Sequence, residues 1–325
     1  MPQRQFSAAA KRVNSAPSTM NEPTQSIHAA LLPFLGVLRI HGEDAAKFLQ
    51  GQVTHDTGLL ADGRTLFAAC NTPQGRVIAT LRLRQTEEAV YALMPADLLE
   101  RVATHLRRFV LRARVNVQIA ADLQAAWVGG QPFSETLAVE GYDATRTLSA
   151  IPQSGATEIV SFDYGTDRQV VAAPGGALRA ITGLSLSKSL PGIEDEWWAA
   201  DIAAGLPTVF RASSEAFVPQ MLNLDLLDGI SFSKGCYTGQ EIVARTQHLG
   251  RIKRRAFRYR LPAGATLAPL AGLALDGAKV AEVLMSATRD DCVELLAVTN
   301  LDARDRTLIA EDGREAVPVG LPYAV

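Results

Sequence analysis

The stretch that decides the interpretation of this chain is Lys234-Gly235-Cys236-Tyr237-Thr238-Gly239-Gln240-Glu241. Its two glycines, Gly235 and Gly239, permit backbone shapes or close approaches that a side chain would block. Thr238 and Glu241 form the T-x-x-E pattern of a capping box, directly ahead of the apolar run 242–244. The stretch therefore predicts a helix that begins at Thr238.

Cys236 lies two residues before this predicted helix start. A helix N-terminus and the nearby Lys234 both favour a thiolate, so an exposed Cys236 is a candidate reactive residue. The alternative is a small buried hydrophobe, because free cysteine is often buried. Glu241 is interpreted as a cap rather than as an acid or base. Tyr237 is interpreted either as a packing residue or as a ligand contact.

Composition favours a soluble globular protein of two or three subdomains, since the chain has 325 residues, 47% hydrophobic and 20% charged. The formal net charge of -2 says little about partners. No apolar run approaches the roughly 20 residues that span a bilayer, so no membrane is expected. The chain has three cysteines, an odd number, and they are widely spaced without a C-x-x-C motif: Cys70, Cys236 and Cys292. We therefore expect a reducing compartment, no disulfide and no stably bound metal.

The N-terminal 26 residues are rich in Ser, Ala and Pro and carry Arg4, Lys11 and Arg12 before the first acid, Glu22. We interpret residues 1–28 as a disordered tail, because no apolar face recurs in them. The alternative is an organelle transit peptide. The tail predicts a cytoplasmic protein, and the transit peptide predicts the mitochondrial matrix.

The remaining chain mixes helix and strand patterns without regular β-α-β alternation, which predicts an α+β fold with mostly antiparallel sheet. The turn Asn71-Thr72-Pro73-Gln74-Gly75 predicts a hairpin between strands 65–70 and 77–84. Apolar spacing predicts helices over three ranges: 43–50, 97–110 and 194–203. From residue 251, short strands broken by Gly, Pro and Asp predict a small β-barrel. The expected units are 29–122, 123–250 and 251–325.

The stretch 230–245, which contains the opening motif, resembles the signature of the YgfZ family. This family is homologous to the T-protein of glycine cleavage, an aminomethyltransferase. Similar patterns occur at 42–54, 204–207 and 219–223. The resemblance covers about residues 31–325. It implies two mixed antiparallel α+β units plus a small C-terminal β-barrel, arranged around a central folate cavity.

The resemblance also implies a cofactor, tetrahydrofolate or a one-carbon derivative of it. A folate site needs aromatic or apolar plates for the pterin and positive charge for the glutamate tail. The implied contacts are Trp197, Tyr237 and Arg245, with Trp198 as a second candidate plate. Relatives can have an aromatic residue near Leu35, so an aliphatic side chain there weakens that contact.

Two carboxylates of the aminomethyltransferases have no counterpart in this chain. In the alignment with those enzymes, Ala79 and Thr80 occupy the positions of an Asp pair, and Ala203 replaces a further acid. Such a carboxylate can stabilise positive charge on the folate nitrogen that accepts the one-carbon unit. Its absence argues against aminomethyl transfer.

The leading interpretation is a tetrahydrofolate-binding factor that supports assembly or repair of iron–sulfur enzymes, including tRNA-modifying ones. Its expected partners are folate and iron–sulfur assembly or client proteins. A folate-dependent aminomethyltransferase or demethylase is one alternative. An RNA-binding module is another, resting on two basic stretches: Arg245, Arg251, Lys253, Arg254, Arg255, Arg258 and Arg260; and Arg101, Arg107, Arg108, Arg112 and Arg114. The near-zero net charge favours solvated basic faces, so nucleic acid is not expected as a partner.

Overall fold

A computed structural model of the protein describes residues 28–129, 158–164, 168–182, 191–248 and 250–325. All but the last residue of the predicted tail therefore lies outside the described residues. No helix in these ranges has both the length and the apolar character that crossing a membrane requires.

The first half of the fold follows in chain order: β1 (His28–Leu31), β2 (Leu35–His41), α1 (Ala45–Gln50), β3 (Thr65–Asn71), β4 (Val77–Gln85), β5 (Ala89–Pro95), α2 (Leu99–Arg107), β6 (Asn116–Ile119) and β7 (Gln124–Gly129). The middle comprises β8 (Val160–Asp163), β9 (Gln169–Ala173), α3 (Gly175–Thr182), α4 (Ile193–Ala204) and α5 (Gln240–His248). The C-terminal strands are β10 (Arg254–Pro262), β11 (Gly272–Leu275), β12 (Ala278–Arg289), β13 (Cys292–Asn300), β14 (Leu308–Ala310) and β15 (Glu315–Val319).

The first sheet is antiparallel and has the strand order β3-β4-β5-β2-β6. The predicted hairpin is confirmed: β3 and β4 pair directly, and Gly75 in their turn has φ +71°. Every residue of β5 is buried, which explains its unbroken apolar sequence. Helix α2 is shorter than the predicted range 97–110 at both ends. Its first turn is a 3₁₀ helix (Ala96–Leu98), and the amides of residues 108–110 donate to carbonyl oxygens three residues back instead of four.

The second sheet has the order β1-β7-β9-β8 and is also antiparallel. Strand β1 belongs to it, with Ala30 opposite Trp127, although residues 29–31 fall in the predicted first unit. The reason is that a four-residue apolar strand shows no preference in sequence for either partner sheet. Arg39 of the first sheet bridges to the second, since its guanidinium contacts Glu158 at 2.5 Å and 2.7 Å.

The C-terminal unit is a closed barrel with the strand order β10-β13-β12-β11-β14-β15, as the sequence predicts. Its own core contains Tyr259, Val283 and Leu295. Its outer face contributes Met285 and Leu296 to the large core that also contains side chains of both sheets. The protein is therefore α+β with three units, and the barrel is packed onto the other two.

Candidate functional site

The cysteine loop, residues 230–239, lies against the turn that follows α1. The amide of Ser231 donates to the carbonyl oxygen of Thr54 at 2.9 Å. The amide of Thr238 donates to the carbonyl oxygen of Gly51 at 3.0 Å. Both ends of the loop are thus fixed to one short segment after α1, although about 180 residues separate the loop from that segment in sequence.

Lys234 fixes the same loop from the inside. Its side chain is buried, and its Nζ donates to the backbone oxygens of Val53 and His55, each at 2.8 Å. The ammonium group also lies 5.0 Å from the centre of the Tyr237 ring, within range of a cation–π contact. Burial lowers the pKa of Lys234 to about 8. The structure therefore gives Lys234 an anchoring role, and its predicted effect on the Cys236 thiol stays a prediction.

The two motif glycines differ. Gly239 has φ +83°, and a Cβ there would lie 2.6 Å from the carbonyl oxygen of Thr72 and 2.9 Å from Cα of Gly75. The β3–β4 turn thus packs so closely on the loop that only glycine fits. Gly235 has open space where a Cβ would be. The predicted steric need for glycine is confirmed at Gly239 and is wrong at Gly235.

The predicted capping box is also wrong, because the helix begins at Gln240 rather than at Thr238. The Thr238 hydroxyl lies near the α1 turn instead, 3.4 Å from the Gly51 carbonyl oxygen. Gln240 takes over the reciprocal bond, since its Oε1 accepts from the Tyr237 amide at 3.2 Å. Glu241, which was expected to complete the capping box, instead forms an ion pair with an arginine one turn further along the helix.

That arginine is Arg245, whose guanidinium lies 2.9 Å from the Glu241 carboxylate. The two side chains are 63% and 80% exposed, so the pair is an ordinary i,i+4 contact on the surface. The predicted contact of Arg245 with a cofactor has no support in this arrangement.

Cys236 is exposed and unpaired in the structure. The description of a small buried hydrophobe fits Cys70 instead, where complete burial raises the thiol pKa to about 12. Tyr237, the next residue, is buried, and burial raises the pKa of its phenol to about 12. The loop thus turns its tyrosine inward as a packing residue and leaves its sulfur in solvent.

A separate cleft lies between the first and second sheets. Mostly apolar and aromatic side chains line it, together with two threonines and one arginine: Leu35, Phe67, Thr80, Leu81, Arg82, Leu93, Met94, Pro95, Tyr164 and Thr208. Of the predicted contacts, Leu35 lines this cleft, and Cys236, Tyr237, Arg245 and Trp197 are not among its lining residues. The structure therefore does not bring the exposed sulfur and the cleft together.

Arg82 occupies the cleft. Its guanidinium carbon lies 4.2 Å from the centre of the Phe67 ring and 4.4 Å from the centre of the Tyr164 ring. The cavity that remains has a volume of about 10 Å³, which is the space of one water molecule. The two rings thus hold a flat cationic group, as they could hold another flat group in its place.

Trp197 supports the cleft from behind. It is fully buried, and its ring packs edge-on against Tyr164 with 4.8 Å between the ring centres. Arg168 lies over the same indole and pairs with the buried Asp201 at 2.5 Å. The sequence predicted Trp197 as a plate in contact with the ligand, whereas the aromatic residues that line the cleft are Phe67 and Tyr164. Burial raises the pKa of the Tyr164 phenol to about 12, so the ring is neutral.

Three cleft residues were not predicted from the sequence: Phe67, Arg82 and Tyr164. The pairing of Phe67 with Arg82 could have been predicted. They are directly opposite each other in the β3–β4 ladder, and the hairpin turn fixes that register. Tyr164 gives no such signal, because it reaches the cleft from the second sheet.

The described residues that line the cleft include no carboxylate. Ala79 is fully buried, and the Thr80 hydroxyl accepts a hydrogen bond from the Val209 amide at 3.2 Å. The acids that the aligned enzymes carry are therefore not replaced by another described acid in the lining.

Most members of the longer basic stretch form ion pairs, and Arg258 and Arg260 share one carboxylate, that of Glu294. Five of its seven members pair with carboxylates, namely Arg245, Arg254, Arg255, Arg258 and Arg260. The pair of Arg255 with Asp225 is bidentate, at 2.7 Å and 2.9 Å. Such pairing leaves few free charges for a polyanion on this face.

No family model matches the chain. Among solved structures, the glycine cleavage system aminomethyltransferase T from Bartonella henselae is similar, with a TM-score of 0.59 and 16% identity over 93% of this chain and 88% of that one. The tRNA-modifying protein YgfZ of Colwellia psychrerythraea is 33% identical over 223 residues, 68% of each protein. That of Serratia proteamaculans is 29% identical over 325 residues, covering 95% of this chain and 97% of the relative.

The two antiparallel sheets and the closed barrel thus define a protein with the aminomethyltransferase fold. Within that class, the chain belongs to the YgfZ family.

Proposed function

We propose that this protein binds a reduced folate in the cleft and supports the assembly or repair of iron–sulfur enzymes, including enzymes that modify tRNA. The observation that carries the folate part is the pair of aromatic rings, Phe67 and Tyr164, closed on the flat guanidinium of Arg82. A pterin is likewise flat and polar at its edge, so the same rings suit it.

The donor set of the cleft fits the rest of a folate. Leu35 and Met94 offer apolar surface, and the hydroxyls of Thr80 and Thr208 offer polar groups for a heterocycle edge. The guanidinium of Arg82 fills the space between the two rings. A cavity of about 10 Å³ admits no pterin, so binding requires the guanidinium to move.

A bound reduced folate would supply a one-carbon carrier. The residues of this chain would bind and orient it, but the described lining has no carboxylate that could stabilise a cationic one-carbon intermediate. We therefore favour a binding factor over the alternative of an aminomethyltransferase or demethylase.

The role in tRNA modification rests on the relatives that carry the name "tRNA-modifying protein". The exposed Cys236 suits a thiol that meets a second protein, because no buried surface has to open first. It could relay sulfur, contact a cluster transiently or react with a folate-linked one-carbon unit, and these three roles remain alternatives.

A direct titration with tetrahydrofolate under reducing conditions tests the folate part. We expect Tyr164→Leu to weaken binding about tenfold, since one aromatic face is lost. Phe257→Leu, a half-buried aromatic of the barrel, is the matched control and should leave binding unchanged. Equal affinities for the wild-type protein and Tyr164→Leu would place the ligand elsewhere, and no binding at all would refute the proposal.

A further inference from the structure

A second cavity lies beside helix α2 and shares no lining residue with the aromatic cleft. It is a groove with a volume of about 460 Å³, which is the size of a small-ligand site. One wall is helix α2 together with Arg108, the residue directly after its end, and the other is the segment that contains Arg211 and Glu215.

The helix wall is one continuous face. Arg101, Thr104, His105 and Arg108 follow the spacing i, i+3, i+4 and i+7, and all four line the groove. The sequence therefore places two guanidinium groups two turns apart on the same side of the helix. Arg211 adds a third from the opposite wall.

The charges of this groove are not balanced internally. Arg101 pairs with Glu215 at 2.6 Å, and Glu100 adds one further carboxylate to the lining. Neither Arg108 nor Arg211 has a carboxylate partner for its guanidinium among the described residues. Two free guanidinium groups thus face one cavity, which is the arrangement that anion sites use.

His105 provides a further polar group. Its Nε2 is buried and has no hydrogen-bond partner. Burial and, after it, the charge of Arg108 lower the pKa of this histidine. A buried ring nitrogen without a partner is costly, so a small movement of the ring that exposed this nitrogen to the groove would let a ligand or water remove that cost.

We propose that this groove binds a phosphate group through Arg108 and Arg211. A carboxylate is satisfied by one bidentate guanidinium, whereas a phosphate has enough oxygens for two guanidinium groups at once. The phosphate can come from an RNA backbone or from a free phosphorylated small molecule, and both present the same chemistry to the two arginines.

The experiment measures binding of two probes to the full chain: a fluorescein-labelled single-stranded RNA of ten nucleotides, by anisotropy, and adenosine 5′-monophosphate, by calorimetry. We expect the double variant Arg108→Gln/Arg211→Gln to weaken at least one probe about tenfold or more. If the source is RNA, the slope of log K against log salt also becomes shallower by about 1.4, since two phosphate contacts are lost. If the source is a free phosphate, only the mononucleotide responds.

Two further variants separate this site from general positive charge. Arg306→Gln removes an exposed arginine of the barrel without a carboxylate partner among the described residues, and it should leave both affinities unchanged. Glu215→Gln frees Arg101 from its ion pair, so it should tighten binding of the responding probe severalfold. The proposal is overturned if neither probe binds, if the double variant binds both as the wild type does, or if Arg306→Gln weakens binding equally.

Discussion

At Cys236 the chain leaves a thiol in solvent, while Lys234 and Tyr237 of the same cysteine loop are buried and hydrogen-bonded. The backbone around it is fixed by residues other than the cysteine itself. The thiol is therefore accessible to reactants, and replacing it should have little effect on stability. A functional role of the thiol can thus be tested separately from folding.

Replacing Cys236 by alanine should abolish complementation of a strain that lacks the homologous protein. The free energy of unfolding should change by no more than about 0.5 kcal/mol, because the side chain is exposed. Cys292→Ala, at a second free and partly exposed cysteine, is the control and should complement fully. Urea titration of both variants measures their stability. Full complementation by Cys236→Ala would refute the hypothesis that the thiol is required.

Lys234 should make the stability of the fold depend on pH in a specific direction. Burial lowers its pKa from 10.5 to about 8 in the folded protein. Between these values the unfolded chain binds more protons, so the contribution of Lys234 to the unfolding free energy rises with pH. Below about pH 8 both states are protonated, and the burial cost is fully present.

We therefore expect the stability difference between the wild-type protein and Lys234→Met to grow in favour of the wild type from pH 8 to pH 10. Other titrating groups are common to both proteins and cancel in the difference. Urea titrations at pH 7 and pH 9.5 measure it. A difference that stays constant would mean that Lys234 keeps its proton in the fold at both values.

At the scale of elements, the cysteine loop is held by its fit to the β3–β4 hairpin. Gly239 and Gly75 both have positive φ. A Cβ added to either glycine would lie too close to the segment that carries the other one. The hairpin turn and the start of α5 therefore form one packed unit, although the chain reaches them about 165 residues apart.

Gly239→Ala should lower the free energy of unfolding by about 2 kcal/mol or more. A left-handed alanine is strained, and its Cβ would lie 2.6 Å from the Thr72 carbonyl oxygen. Gly235→Ala is the matched control from the same motif and should change stability by less than about 0.5 kcal/mol. Chemical denaturation of the two variants measures these losses, and equal losses would contradict the close packing at Gly239.

Local sequence signals predicted most elements and failed where a contact from elsewhere intervened. The β3–β4 hairpin and the barrel were predictable, since turn residues and alternation act within a few positions. The capping box failed because Thr238 binds the α1 turn rather than its own helix. Strand β1 was missed because its partner β7 lies about 100 residues further along the chain.

At the scale of the whole molecule, the aromatic cleft exists only because two sheets meet. Phe67 and Arg82 come from the first sheet, and Tyr164 follows a strand of the second. Trp197 of α4 holds Tyr164 in place through an edge-on contact. The cleft is therefore sensitive to how these units pack, and Arg82 determines whether it is open.

Arg82→Ala should open the cleft and strengthen tetrahydrofolate binding roughly fivefold or more, because the ligand no longer displaces a guanidinium in contact with two rings. Arg84→Ala removes the next arginine on the same face of β4 and serves as the control. Calorimetric titration of the two variants against the wild type measures the change. Weaker binding by Arg82→Ala alone would show that Arg82 is a ligand contact and not a plug.

The sequence by itself determined the α+β class, the barrel and the hairpin, because these depend on periodicity and turn residues. Tertiary structure alone decided which aromatic residues line the cleft, what Lys234 and Thr238 bind, and that Cys236 is not part of the cleft lining. The physical reason is that a side chain's partner across two sheets depends on how the sheets pack, and no local pattern encodes that packing.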